Sequence, residues 1–309
     1  MSKKVVCIGS MSLDITCIAG SKLNMGGKNP GATVLVDAGG VTRNSGEVLA
    51  RMGHDVAIVS TVGTDDFGKT AIDLCEGIGM DMTHVTRLEG GKTTASIQMI
   101  DFDGEVAVMA ADVSDKGDVS LEQVKEAHEL ISSAAVILVC PTLGSETIEY
   151  IFETYKDIPK FMDACALQFI DKIRPFLKGV HTLKVNEEEA AALCGFELDS
   201  EEATYKAMGA LRAMGPKNVV ITLGGRGAIF TNDLYGNLFP AKWVEKVANA
   251  TGAGDSFFAG LVHGFLEELP VDQTMEVAGA CSRLTIMSPH TISTEITLDA
   301  VYKEAGLKA

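Results

Sequence analysis

The chain has one tryptophan, no C-x-x-C pair among its seven cysteines, no H-x-x-x-H spacing among its six histidines, and far fewer cations than acids. Scattered, odd-numbered cysteines exclude a disulfide framework, and neither residue type shows zinc-ribbon spacing; mostly buried, reduced thiols are expected. Lys plus Arg number 26 against 42 Asp plus Glu, a formal charge of −16. That field repels a nucleic-acid polymer or an anionic membrane, so neither is expected as a partner. Small phosphorylated ligands are not excluded, because local backbone amides can hold them. The first apolar stretch, Val5-Val6-Cys7-Ile8, halts at Gly9-Ser10 and meets Asp14. It is too short for a signal core or a spanning helix, and a cytoplasmic protein is the expectation. Internal repeats, low-complexity tracts and long linkers are also missing, so residues 1–309 read as one domain.

What is present is a 46% apolar fraction with 32 glycines, enough for a core and many tight, backbone-lined turns. Val5–Ile8 and Val56–Val59 read as short buried strands, with a helix over Ser45–Met52 ended by Gly53. Helical patterns at Leu121–Ser132, Ser145–Tyr155, Ile170–Leu177 and Glu201–Met214 then alternate with apolar runs at 135–139, 160–162, Thr182–Val185 and Asn218–Thr222. Such alternation predicts an α/β fold with a parallel sheet covered by helices on both faces. Two stretches break the rhythm. Cys17–Val36 is rich in Gly, Asn and Lys, and Ala95–Asp101 with Glu105–Ala110 flank Phe102-Asp103-Gly104 like a hairpin. They predict a small accessory sheet, roughly residues 15–37 and 92–112, placed to cover a site at the carboxyl ends of the main strands.

The strongest chemical signal is Asn249-Ala250-Thr251-Gly252-Ala253-Gly254-Asp255-Ser256, followed by the apolar stretch Phe257–Leu266. Three small residues before a helix let amides converge, and the helix dipole adds partial positive charge there. Gly252, Ala253 and Gly254 then form an anion hole suited to a transferring phosphoryl group, with Asp255 placed to take a proton from an attacking hydroxyl. An ordinary N-cap role for Asp255 is the alternative. Gly63-Thr64-Asp65-Asp66-Phe67-Gly68-Lys69-Thr70 offers a rival phosphate site, matching G-x-x-x-x-G-K-[ST], with Asp163 as its metal-binding partner. Against it, Asp65 and Asp66 place two carboxylates where phosphates would lie.

The 249–256 segment resembles the carboxy-terminal signature of the ribokinase-like sugar and nucleoside kinases, the PfkB family. Gly39-Gly40-Val41-Thr42-Arg43-Asn44 resembles the family's amino-terminal glycine motif, and Ile8-Gly9-Ser10 leading to Ser12 and Asp14 its first strand and substrate carboxylate. Lys184-Val185-Asn186-Glu187-Glu188-Glu189 resembles its N-x-x-E element, Thr222–Gly227 its nucleotide loop, and Val62–Gly68 its V-G-x-D-x-x-G turn. The likeness covers almost the whole chain. It implies a three-layer α/β/α fold with a mostly parallel sheet and a β-sheet lid, and an ATP-dependent phosphotransferase acting on an alcohol group.

By that resemblance, Ser12, Asp14, Gly39, Gly40 and Asn44 grip sugar hydroxyls. Asn186, Thr222, Gly224, Gly225, Gly227 and Asn249 surround ATP, and Glu189 holds Mg²⁺ through water. Asn186 and Glu189 could instead cap their helix, and Gly224–Gly227 could be a plain hairpin turn. Many relatives carry an aspartate in place of Asn249 that helps hold a monovalent cation, so that ion is left open, and the adenine-side asparagine near Ala278 is replaced by Gly279. Lys28-Asn29-Pro30-Gly31, His181-Thr182-Leu183-Lys184 and Asn249-Ala250-Thr251 resemble pseudouridine kinases in particular, which implies transfer to a nucleoside 5′-hydroxyl. Asn29, Thr93, Thr94 and Ser96 are then candidates to read the base. Ribose, uridine, adenosine or a keto-sugar acid are alternative acceptors, and a non-catalytic metabolite sensor on the same fold is the reading from another class. A homodimer formed through the lid is a further implication.

Overall fold

Val5, Val6, Cys7 and Ile8 form strand β1 (Val5–Ile8) and none is exposed. Alternation along the strand sends Val5 and Cys7 into one core cluster and Val6 and Ile8 into another, so the run buries both faces. The same division runs through β4 (Val56–Gly63), β8 (Val136–Val139), β9 (Lys160–Asp163) and β11 (Asn218–Thr222), whereas β10 (Thr182–Asn186) gives Leu183 and Val185 to the second cluster alone. Each fully buried Val or Ile contributes roughly 1.5–3 kcal/mol of transfer free energy. A computed structural model of the chain describes residues 3–103, 106–112 and 118–308. Among these residues the main sheet runs β13-β12-β11-β10-β9-β8-β1-β4-β5, with β5 (Val85–Leu88) at one edge and β13 (Gly236–Phe239) at the other. Pairing is parallel except where β12 (Ala228–Thr231) meets β11 and β13.

Helices α1 (Val41–Arg51), α2 (Asp66–Gly77), α9 (Ala253–Leu266), α10 (Val271–Ile286) and α11 (Leu298–Ala305) contribute to the first cluster. Helices α3 (Leu121–Glu126), α4 (His128–Ser132), α5 (Ser145–Thr154), α6 (Ile170–Ile173), α7 (Glu187–Cys194) and α8 (Glu201–Ala213) contribute to the second. The result is helix, sheet, helix. A separate four-stranded sheet in the order β3-β2-β6-β7 forms the lid, from β2 (Ser12–Ile18), β3 (Thr33–Gly39), β6 (Thr94–Ile100) and β7 (Val106–Asp112). Gly104 and Glu105 of the expected hairpin lie outside the described residues. No helix among those described is long and apolar enough to cross a membrane.

Four expected segments are corrected. α1 starts at Val41, four residues early, because Thr42, Arg43 and Asn44 are polar yet buried and hide the apolar period. The helix predicted over Leu121–Ser132 breaks at Ala127 into α3 and α4. The one predicted over Ile170–Leu177 changes at Arg174 into a 3₁₀ turn, where Pro175 cannot donate to the α ladder. The lid begins at Ser12 and runs to Gly39, wider than expected, because its strands are only half-buried.

Candidate active site

The carboxyl ends of β1, β9, β10 and β11 lie along one edge of the main sheet, where α1, α7 and α9 begin. Gly252 is the N-cap of α9, at φ 78°, and among the described residues no side chain caps the helix. A Cβ at Gly252 would lie 2.0 Å from the Thr291 carbonyl oxygen, so both its conformation and the close approach require glycine. Ala253 N donates to the Ala250 carbonyl at 3.4 Å, which leaves the N–H groups of Gly254 and Asp255 to meet an anion, with the helix dipole behind them. The Ser256 and Thr285 hydroxyls, 2.7 Å apart and fully buried, lock α9 to α10.

Asp255 lies in that first turn. Its Oδ2 accepts from Asn44 Nδ2 at 2.6 Å, and its carbonyl accepts from Ser45 Oγ at 3.0 Å, so α1 and α9 meet at the carboxylate. Burial, reinforced by the negative charge of Asp163, pushes the Asp255 carboxyl up to about 6, while the Asn44 bond, Lys184 and Arg43 pull the other way. A carboxyl tuned towards neutrality beside open amides fits proton acceptance better than capping.

Asp14 defines the other wall. Its Oδ1 accepts from Ser96 Oγ at 2.7 Å and Ser12 Oγ at 3.3 Å. A Cβ on Gly39 would sit 2.3 Å from both Asp14 Oδ2 and Ser12 Oγ, so the glycine admits the chain's own side chains. Gly40, at φ 109°, turns directly into α1, which carries Asn44. Gly39 and Thr94 flank Ser12 in register across the lid. Asn29 is engaged within its own exposed loop, accepting from Asn24 N at 2.7 Å and donating to Asn24 O at 3.3 Å.

Asn186 and Thr222 are register partners at the ends of β10 and β11. Asn186 caps α7 reciprocally with Glu189: Asn186 Oδ1 accepts from Glu189 N and Glu189 Oε2 accepts from Asn186 N, each at 2.8 Å. Glu189 is buried, and burial raises its carboxyl. Gly224–Arg226 form a 3₁₀ turn, followed by Gly227, between antiparallel strands and tied to α7 by the Arg226–Glu187 ion pair. Asn249 is buried and uses both side-chain groups locally, accepting from Thr251 N at 2.9 Å and donating to the Pro289 carbonyl at 3.2 Å.

A model of the pfkB family of carbohydrate kinases matches residues 2–298. The chain belongs to the PfkB family. It is 28% identical over 295 residues to the pseudouridine kinase of Escherichia coli, covering 95% of this chain and 94% of that one. The Arabidopsis thaliana ribokinase structure, complexed with ribose and ATP, is 19% identical and covers all of both chains at a TM-score of 0.79. A carbohydrate kinase from Agrobacterium tumefaciens is 22% identical, covering 99% of this chain and 97% of that one, at a TM-score of 0.80. Both structures share the ribokinase fold. This is a sugar or nucleoside kinase of the PfkB family.

The rival phosphate loop of this PfkB kinase is filled by its own carboxylate. Asp65 caps α2, accepting from Gly68 N at 2.9 Å, Thr93 N at 2.9 Å and Thr93 Oγ1 at 2.6 Å. Burial opposes ionisation there, but these bonds outweigh it and hold the Asp65 carboxyl below its usual range. Thr93 is thereby committed to fastening the lid, not to reading a base. Lys69 pairs with Asp73 at the surface, 2.8 Å away. Asp163 lies on β9, separated from β4 by β8 and β1.

Sequence reasoning missed one pair. Lys184 Nζ lies 2.7 Å from Asp163 Oδ2, both buried, on register partners of β10 and β9. Burial works against the Lys184 charge, but Asp163, then Asp255 and Glu189, more than offset it and raise its pKa. The available signal was a lone lysine inside the buried strand Thr182-Leu183-Lys184-Val185.

Proposed function

We propose that the protein transfers the γ-phosphoryl group of ATP to the 5′-hydroxyl of a nucleoside, with pseudouridine the first acceptor to test. The observation carrying this reading is Asp255: a half-buried carboxyl raised to about 6, beside the uncapped start of α9 and 2.6 Å from Asn44. Asp14, Ser12 and Asn44 hold the ribose against Gly39 and Gly40. Asp255 removes the hydroxyl proton, and the amides of Gly252–Asp255 stabilise charge developing on the phosphoryl group. The nucleotide extends over Asn186, Thr222 and the Gly224, Gly225 and Gly227 turn, beside Asn249.

A hydrated Mg²⁺ fits beside Glu189, which is buried but keeps one oxygen of its carboxylate outside the capping pair. Among the described residues no group of three or more His, Cys, Asp or Glu is placed to hold a metal directly. When bound, the ion neutralises phosphate charge. Pseudouridine is supported by 28% identity across 95% of the chain to an enzyme of that name. The test is an ADP-release screen with pseudouridine and uridine side by side, then ribose, adenosine and a keto-sugar acid. Turnover fastest with pseudouridine supports the reading. Preference for another acceptor removes the pseudouridine assignment, and no turnover with any removes kinase activity in favour of a sensor.

The lid supports a further reading, a homodimer. Every residue of the edge strand β7 is exposed, Val108 and Met109 among them, and Ile97 on β6 and Val34 on β3 add apolar surface to the lid. Sedimentation should give about twice the chain mass of 32.7 kDa; a monomer at high concentration removes the dimer.

A further inference from the structure

We infer that Lys184 is a catalytic residue, its ammonium completing the phosphoryl site begun by the α9 amides, with Asp163 as its positioning residue. The inference rests on the phosphoryl-transfer reading and adds a group to it. Leu183 and Val185 face the α7 and α8 side of the sheet, so alternation turns Lys184 towards α9. Its Nζ lies 2.9 Å from where a Cβ on Gly254 would stand, directly against the anion hole. Asp163, Glu189 and Asp255 all act on this one ammonium. A multiply charged phosphate entering among three carboxylates needs more than the partial charge of a helix end.

Stability alone is a poor reason for the pair, since apolar replacements of buried ion pairs are often neutral or stabilising. Its placement is also enforced by costly backbone. Cys165 is a non-glycine residue at φ 70°, and its N–H donates to Asp163 Oδ1 at 3.2 Å while Oδ2 faces Lys184. Asp163 is thus held on both oxygens, which fixes the direction of the ammonium.

In the transfer step a bond forms between the acceptor oxygen and Pγ, and the bond from Pγ to the β,γ-bridging oxygen breaks. The electron pair leaves with ADP, and the hydroxyl proton goes to Asp255. Lys184 neither gives nor takes a proton. It remains an ammonium and stabilises the negative oxygens in flight.

The test uses the full chain, with Lys184→Met, Asp163→Asn, the double variant and Lys184→Arg, each measured for kcat, thermal midpoint and binding of ADP with aluminium fluoride and nucleoside. The double variant removes both charges together and so preserves folding if Lys184→Met alone does not. Both variants lacking the lysine are expected to lose about 10²–10³-fold in kcat, as for one oxyanion donor, and to lose the extra affinity for the fluoride complex while binding ADP normally. Asp163→Asn is expected to fall less than about tenfold, and Lys184→Arg to recover part of the rate. A double variant with wild-type kcat, or losses that only follow the thermal midpoint, overturns the role of Lys184 while leaving phosphoryl transfer intact. A wild-type protein that transfers phosphate to no acceptor overturns the underlying reading and this role together.

Discussion

Replacing Asp255 by asparagine should slow the enzyme and stabilise the fold at the same time. The folded carboxyl titrates at about 6 against 3.8 in an open chain, mainly because it is buried. Between those values the folded protein holds a proton that the unfolded chain has lost. Stability therefore falls as pH rises through that window, and above about 6 the cost is complete. It amounts to about 3 kcal/mol for a shift of this size. Asp255→Asn removes that cost and keeps an oxygen for Asn44 Nδ2, so the thermal midpoint at pH 8 should rise by a few degrees and the gain should shrink towards pH 5. Without the base, kcat should fall about 10²–10⁴-fold with nucleoside binding retained. In the wild type, kcat/KM should fall about tenfold per pH unit below about 6, and the variant should lack that limb. ADP release and thermal melts between pH 5 and 8 read both effects. Near-normal turnover in the variant, or slow turnover with a lowered midpoint at pH 8, would refute the reasoning.

Lys69→Ala should leave the KM for ATP and the thermal midpoint within about twofold and one degree of wild type, because the Lys69–Asp73 pair is exposed; a collapse of ATP binding would restore the rival loop. Gly39→Ala drives a methyl into Asp14 and Ser12 and should cost about 10–100-fold in kcat/KM for the acceptor, with ATP binding retained in a calorimetric titration. An unchanged acceptor kcat/KM would remove Asp14 from the acceptor site. Asn186→Ala breaks the reciprocal cap of α7 and should lower unfolding free energy by about 1 kcal/mol in urea, while raising the KM for ATP more than that for the acceptor. Equal effects on both substrates would separate the cap from the nucleotide site.

The main sheet was legible because its strands are short, continuous apolar runs buried on both faces, and such runs do not depend on distant partners. The lid was legible only as a break in the pattern. Ser12–Ile18 alternates weakly and is half-buried, so nothing local marks Ser12 as a strand start. The first turn of α1 was hidden for the opposite reason, since Arg43 and Asn44 are polar yet fully enclosed and so break the apolar period. Within the site, Gly252–Asp255 and Gly39–Asn44 are contiguous and readable as local motifs. Lys184 and Asp163 stand 21 residues apart and meet only through the pairing of β9 with β10. The reciprocal bonds between Asn186 and Glu189 show that the two residues cap α7, and the proposed nucleotide role falls on the same pair, so spacing alone could not separate the two readings.

Phosphate transfer is proposed to take place at the start of α9. A crystal structure with a non-hydrolysable ATP analogue and a nucleoside tests it most directly. The terminal phosphate is expected within hydrogen-bonding distance of the Gly252–Gly254 amides, with the acceptor hydroxyl between it and Asp255. A terminal phosphate resting on the Gly63–Thr70 turn, or away from Asp255, would contradict it.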